Sequence, residues 1–122
     1  SSQLRHALRN GVQGPLSVVE MRGMEFLISR PAARQKELAA YWGITNASTS
    51  AFIAKMEKLG FIARHRDPDD GRSSVLEVTS SGRAAVAETG RRAGEVCRPY
   101  FERLSEQELE QLESILNKIR PG

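Results

Sequence analysis

The chain carries one cysteine, Cys97, one tryptophan, Trp42, and two histidines, His6 and His65, in 122 residues. A lone thiol cannot form an internal disulfide, and two separated histidines do not supply the ligand spacing of a metal site. No apolar run reaches the length of a membrane span or of a signal-peptide core, so the expected setting is the cytoplasm, with no membrane partner. No Ser/His/Asp or Cys/His arrangement and no glycine-rich phosphate loop is present, and the acidic Glu106 to Glu113 stretch reads as a solvated helix face. Neither an enzyme nor a bound cofactor is expected.

What is present is an ordinary folding composition, 39% hydrophobic and 27% charged, at a length that suits one domain with one core. The formal charge is +3, and its distribution says more than its total. From Arg34 to Arg66 six Lys or Arg face two Glu, whereas from Glu102 to Leu116 five Glu face one Arg. The first region can meet a polyanion and the second cannot. The chain begins Ser1-Ser2, and Gln3 to Asn10 reads as the tail of a helix, so a preceding segment is expected.

The hydrophobic periodicity divides the chain into helices and one hairpin. Leu4 and Leu8 lie one turn apart before the Asn10-Gly11 and Gly14-Pro15 turns. Ser17 and Glu20 open a second helix through Val18, Met21, Met24 and Ile28, which Pro31 stops. Arg34 to Trp42 forms a third, with Leu38 and Trp42 inward, ended by Gly43. Thr45 caps a fourth to about Leu59, with Thr49, Phe52, Ile53 and Met56 inward. Phe61 to Arg66 and Ser73 to Val78 then alternate as strands about a polar tip. Thr79 caps a fifth helix to about Arg98, where Pro99 should kink or restart it. Ser105 and Glu108 form a capping box for a last helix, with Leu104 and Leu109 as its staple. Leu109, Leu112, Leu116 and Ile119 recur there as a heptad-like seam.

Arg34 to Lys58 follows the steric pattern of a helix-turn-helix. Ala39 must be small because the next helix crosses it, Gly43 relieves the corner, and Ile44 is expected to plug it from inside. The opposite face of the second helix then presents Asn46, Ala47, Ser48, Ser50, Ala51, Ala54, Lys55 and Lys58. Small residues allow close approach to base edges, Asn46 and the serines supply donors and acceptors, and the lysines can reach phosphates. Arg34, Arg64 and Arg66 extend the basic surface, with His65 lying in the basic hairpin. A solvated helix face is the bland alternative.

Leu16 to Leu27, Glu37-Leu38-Ala39, Gly43-Ile44-Thr45, Lys55 to Ile62, Arg66-Asp67-Pro68-Asp69-Asp70-Gly71-Arg72-Ser73 and Val78-Thr79-Ser80-Ser81-Gly82-Arg83 together resemble the MarR (multiple antibiotic resistance regulator) family. The Asp-Pro-Asp-Asp-x-Arg tip, followed after a strand by Thr-x-x-Gly, is the most specific part. The resemblance implies a mainly α (α+β) winged helix-turn-helix regulator, a repressor more often than an activator. Residues 1–122 then form a single domain, with 16–83 as the DNA-binding lobe and 1–12 and 84–122 as dimerisation helices. It implies a homodimer on a pseudo-palindromic duplex, joined through Leu4, Leu8, Leu109, Leu112, Leu116 and Ile119. Arg72 would enter a flanking minor groove, held by Asp70, where a weakly hydrated guanidinium meets concentrated negative potential. A small aromatic or phenolic ligand would sit near Met21, Arg22 and Met24. The chain departs from the family in Thr49, where a hydrophobic residue is common, in Ala51, where an arginine is common, and in a short first helix.

Single residues admit rival readings. Cys97 lies near the end of the fifth helix and is expected to be a buried structural thiol rather than a peroxide sensor. Trp42 is expected in the core rather than in an effector pocket. A winged helix that has lost DNA binding and serves as a protein-interaction module is the alternative function.

Overall fold

Ser17 and Glu20 close a reciprocal cap, with the Glu20 N–H donating to Ser17 Oγ at 3.0 Å and the Ser17 N–H to Glu20 Oε1 at 2.9 Å. From this cap helix α1 runs Val18–Ser29. The computed structural model describes residues 2–3, 5–6, 13–71 and 74–119. Ser2, Gln3, Arg5 and His6 are helical. Leu4, Leu8 and the Asn10-Gly11 turn lie outside the described residues, as do Arg72 and Ser73.

After α1, a turn through Pro31 and Ala32, the latter at φ 62°, lays Ala33 against Leu76 as a short antiparallel bridge. Helix α2 spans Gln35–Trp42 and ends on Gly43 at φ 67°, the left-handed conformation that glycine adopts without a Cβ penalty. Helix α3 spans Asn46–Lys58, with Thr45 Oγ1 accepting the Ser48 N–H at 3.1 Å. Strands β1 (Ile62–Arg66) and β2 (Ser74–Val78) pair antiparallel with Ile62 opposite Val78 and Arg66 opposite Ser74. Helix α4 runs Ser80–Phe101 from the Thr79 cap, and helix α5 runs Glu106–Ile119 behind the Ser105–Glu108 capping box.

The core sits wholly in the part of the chain from Leu16 to Ala85. Met24, Leu38, Ile53 and Met56 are fully buried, and Leu27, Ala33, Ile62, Leu76 and Val78 close around them. Three helices thus stack on the hairpin, with α4 packed on α1. Thr49 takes a core position without leaving its hydroxyl unpaired, because Oγ1 donates to the Thr45 carbonyl at 3.0 Å. Trp42 is half-buried, edge-on to Phe52 with ring centroids 4.7 Å apart. It lies over Gly23, where any Cβ would stand 2.2 Å from the indole.

Three sequence expectations are corrected here. Ile44 does not plug the corner: it is 43% exposed, because the Trp42 and Phe52 rings already fill the inside of the turn. Pro99 does not restart the helix, which continues to Phe101. Proline forfeits one backbone hydrogen bond, to the residue four positions earlier, and so close to the helix end few bonds depend on it. Cys97 is only half-buried rather than buried.

Thr89 is fully buried, and its hydroxyl has no hydrogen-bond partner among the described residues. An unpaired buried hydroxyl costs free energy that a methyl of the same shape does not. Thr89→Val is therefore expected to raise stability by about 1 kcal/mol, read as a higher midpoint of thermal unfolding. A fall of similar size would show that the hydroxyl is bonded in solution.

Candidate nucleic-acid interface

Helix α3 keeps one face in the core and the other in solvent. Thr49, Ile53 and Met56 are buried, whereas Asn46, Ala47, Ser48, Ser50, Ala51, Ala54, Lys55 and Lys58 are all exposed, as the periodicity predicts. The hairpin stands beside the start of this helix. Between them lies a cleft of about 530 Å³ lined by Arg34, Gln35, Lys36, Asn46, Arg64, Asp70 and Ser74. The first turns of α2 and α3 and the tip half of the hairpin thus converge on one polar surface.

The cations on this surface fall into two groups, a division the sequence reading did not contain. Arg34 is engaged by Asp67, Arg64 Nε donates to Glu57 Oε1 at 2.8 Å, and Lys55 Nζ donates to Glu20 Oε2 at 2.8 Å. Burial opposes ionisation of Glu20, but Lys55 and the Ser17 cap outweigh it and hold the carboxyl below its ordinary value. Lys36, Lys58 and Arg66 are exposed and have no ion-pair partner among the described residues. His65 Nε2 lies 2.6 Å from Glu77 Oε2 across the hairpin. Arg72, and hence its pairing with Asp70, lies outside the described residues.

Asp67, which the sequence analysis named only as part of the tip motif, anchors the tip in the structure. It is buried at 8% exposure, accepts the Asp69 N–H at 2.9 Å and ties the tip to Arg34 at the entry to α2. The Asp69 N–H, and then the Arg34 charge acting against burial, hold its carboxyl below the ordinary range. A depressed folded-state pKa stabilises the tip fully above the unfolded pKa, and that contribution is lost as pH falls through the folded value. The Asp69 amide resonance is accordingly expected to follow the Asp67 carboxyl on the acid side of an ordinary aspartate titration and to lose that step in Asp67→Asn. A step at the ordinary aspartate position would show that the Asp69 N–H bond and the Arg34 pairing do not hold the carboxylate.

The ligand and dimer residues fare differently. Met24 is fully buried in the core, Met21 is half-buried against it, and Arg22 points to solvent. Two residues apart on a helix diverge by about 200°, so Arg22 and Met24 do not line one cavity. Leu109 and Leu116 are 39% and 51% exposed on α5, with Leu112 half-buried. Phe101 and Ile115, which the seam did not include, are exposed beside them in sequence. Ile119 ends the helix.

A helix-turn-helix followed by an antiparallel hairpin, with the second helix exposed beside that hairpin, defines a winged helix-turn-helix. Residues 16–74 match the model of the MarR family. It is 30% identical over 86 residues to an uncharacterised helix-turn-helix-type transcriptional regulator, YcgE of Bacillus subtilis, covering 67% of this chain and 53% of that protein. The chain spans about half the length of the curated relatives it matches. Its fold matches that of a probable transcriptional regulator from Pseudomonas aeruginosa at TM-score 0.73 and 26% identity, over 97% of this chain and 92% of that one. It also matches a MepR variant from S. aureus, solved bound to an oligodeoxyribonucleotide, at TM-score 0.71 and 21% identity, over 97% and 88% of the two chains. No described helix is long and apolar enough to cross a membrane.

Proposed function

We propose that the chain is a transcription regulator that binds duplex DNA as a homodimer, placing α3 in the major groove and the hairpin against a flanking minor groove. One observation carries the reading: the recognition face of α3 is exposed while its opposite face, through Thr49, Phe52, Ile53 and Met56, packs into the core. Five small or short residues from Asn46 to Ala51 let that face approach base edges. Lys36, Lys58 and Arg66 surround it with charge that no carboxylate neutralises among the described residues, the arrangement that binds a phosphate backbone. Occupying an operator in this way represses by exclusion, and a dimer reads a pseudo-palindrome because its symmetry matches that of the site.

A protein-interaction role gains weight from the carboxylates that already hold Arg34, Lys55 and Arg64. Selection of bound sequences from random duplexes at low ionic strength separates the two. A repeated half-site among the selected sequences is expected, and failure to retard any duplex would overturn the DNA reading.

A further inference from the structure

We propose that Gln35 is a specificity-setting positioning residue, which fixes the Ser50 hydroxyl on α3 as a hydrogen-bond donor toward the major groove. The inference rests on the DNA reading above and deepens it, naming the base edges that one position recognises. Gln35 opens α2, is half-buried, and reaches across the turn to the recognition helix. Its amide nitrogen lies 2.6 Å from Ser50 Oγ and 3.2 Å from the Asn46 carbonyl oxygen.

The direction of these bonds follows from chemistry. A backbone carbonyl can only accept, so the amide nitrogen, not the amide oxygen, must face Asn46. The same nitrogen has no lone pair to offer, so Ser50 Oγ is the acceptor in the second bond. The Ser50 proton then has no acceptor among the described residues, and an O–H whose oxygen already accepts a bond is the stronger donor. Ser50 is exposed, and its neighbours Ala47, Ala51 and Ala54 on that face carry no polar side-chain atoms. The hydroxyl therefore favours bases that present an acceptor in the major groove: purine N7, guanine O6 or thymine O4. Ser48 supplies an internal control. Its oxygen accepts from Thr45 Oγ1 at 3.1 Å and does not depend on Gln35.

The test compares the parent with Gln35→Ala, Gln35→Glu and Ser50→Ala by selection from random duplexes. Anisotropy titrations at one salt concentration follow, on the selected duplex, on its single-base variants and on an unselected duplex. Gln35→Ala and Ser50→Ala are expected to weaken discrimination at the same base pair of each half-site by roughly 3- to 10-fold, a larger loss than at any other position of the half-site. Gln35→Glu should do more. A carboxylate only accepts, so the Ser50 proton turns to it, and the preference at that base pair moves toward adenine N6 or cytosine N4, which donate. A merely structural role would weaken all positions evenly and would not invert one. The inference is overturned if the Gln35→Glu protein keeps the parent's preference at the Ser50 base pair, or if the changes spread across the half-site. Should Gln35→Ala fail to fold, the shared position of Ser50→Ala and Gln35→Glu decides the matter. If the parent retards no duplex, the DNA reading itself fails. If it binds and the variants keep its preferences, only this inference does.

Discussion

Gly82→Ala is expected to destabilise the protein by about 2–3 kcal/mol, lowering the unfolding midpoint by roughly 10 °C. Gly82 lies in the first turn of α4, where a Cβ would stand 2.3 Å from the Phe61 carbonyl oxygen, 2.8 Å from Val78 Cγ1 and 3.1 Å from Met24 Cε. The carbonyl cannot yield cheaply, since it accepts the Thr79 N–H at 3.0 Å while Thr79 Oγ1 donates to the Gly60 carbonyl at 2.6 Å. Helix propensity acts the other way, favouring alanine by about 1 kcal/mol. The steric effect wins because backbone, and not a flexible side-chain tip, stands in the way. Gly94→Ala is the matched control: nothing lies within 4 Å of its Cβ position, so propensity alone should operate and the midpoint should rise. Equal responses at the two sites would show that α4 is not seated on the base of the hairpin. The glycine of the Thr-x-x-Gly signature thus has a physical reason, the contact between helix start and strand start.

Local chemistry was legible in the sequence and long-range pairing was not. The caps at Ser17, Thr45, Thr79 and Ser105 each involve residues three apart, so the amino-acid pattern alone identifies them. The two faces of α3 follow equally directly from its period. Arg34 with Asp67 and Lys55 with Glu20 join residues 33 and 35 positions apart, and periodicity says which face a side chain takes but not which distant residue meets it there. Gln35 escaped notice for the same reason, being an unremarkable polar residue until the turn brings Ser50 to it. Ile44 misled because a hydrophobic residue at a corner suggests burial, while the space was already occupied by Trp42 and Phe52.

These pairings change what the basic region can do. Arg34, Arg64 and Lys55 now hold the hairpin tip, the strand base and α3 to the rest of the lobe. The Lys55–Glu20 and Arg64–Glu57 pairs are solvent-accessible, and pairs of that kind contribute little stability, typically under about 1 kcal/mol each. Their larger effect is geometric, because α3 and the hairpin must keep one spacing to meet two grooves of one duplex. Among the described residues the cations left for phosphate are Lys36, Lys58 and Arg66, so the salt dependence of the proposed DNA binding should follow those three more closely than Lys55.

Charging Leu112 and Leu116 together, as Leu112→Glu with Leu116→Glu, is expected to break the proposed homodimer into monomers, read by sedimentation of parent and variant at one concentration. Among the described side chains of α5 none is buried and none belongs to the core, so its apolar side needs cover that the described chain does not provide. A two-fold interface uses both leucines twice, and since Leu112 is already half-buried and Leu116 is 51% exposed, about half of the 1.5–3 kcal/mol for full burial is left at each, roughly 3–6 kcal/mol of association free energy in all. That is a large part of a micromolar dissociation constant, about 8 kcal/mol, before the repulsion between introduced carboxylates is counted. Binding to a two-half-site duplex should then weaken by roughly 100-fold or more, because linked recognition helices no longer share one encounter. The lobe from Leu16 to Ala85 holds the buried core by itself, so the monomers are expected to keep their helical circular dichroism and a cooperative melt. Dimers that persist would place the interface away from α5, while a chain that unfolds outright would show that the lobe depends on α5 for its stability.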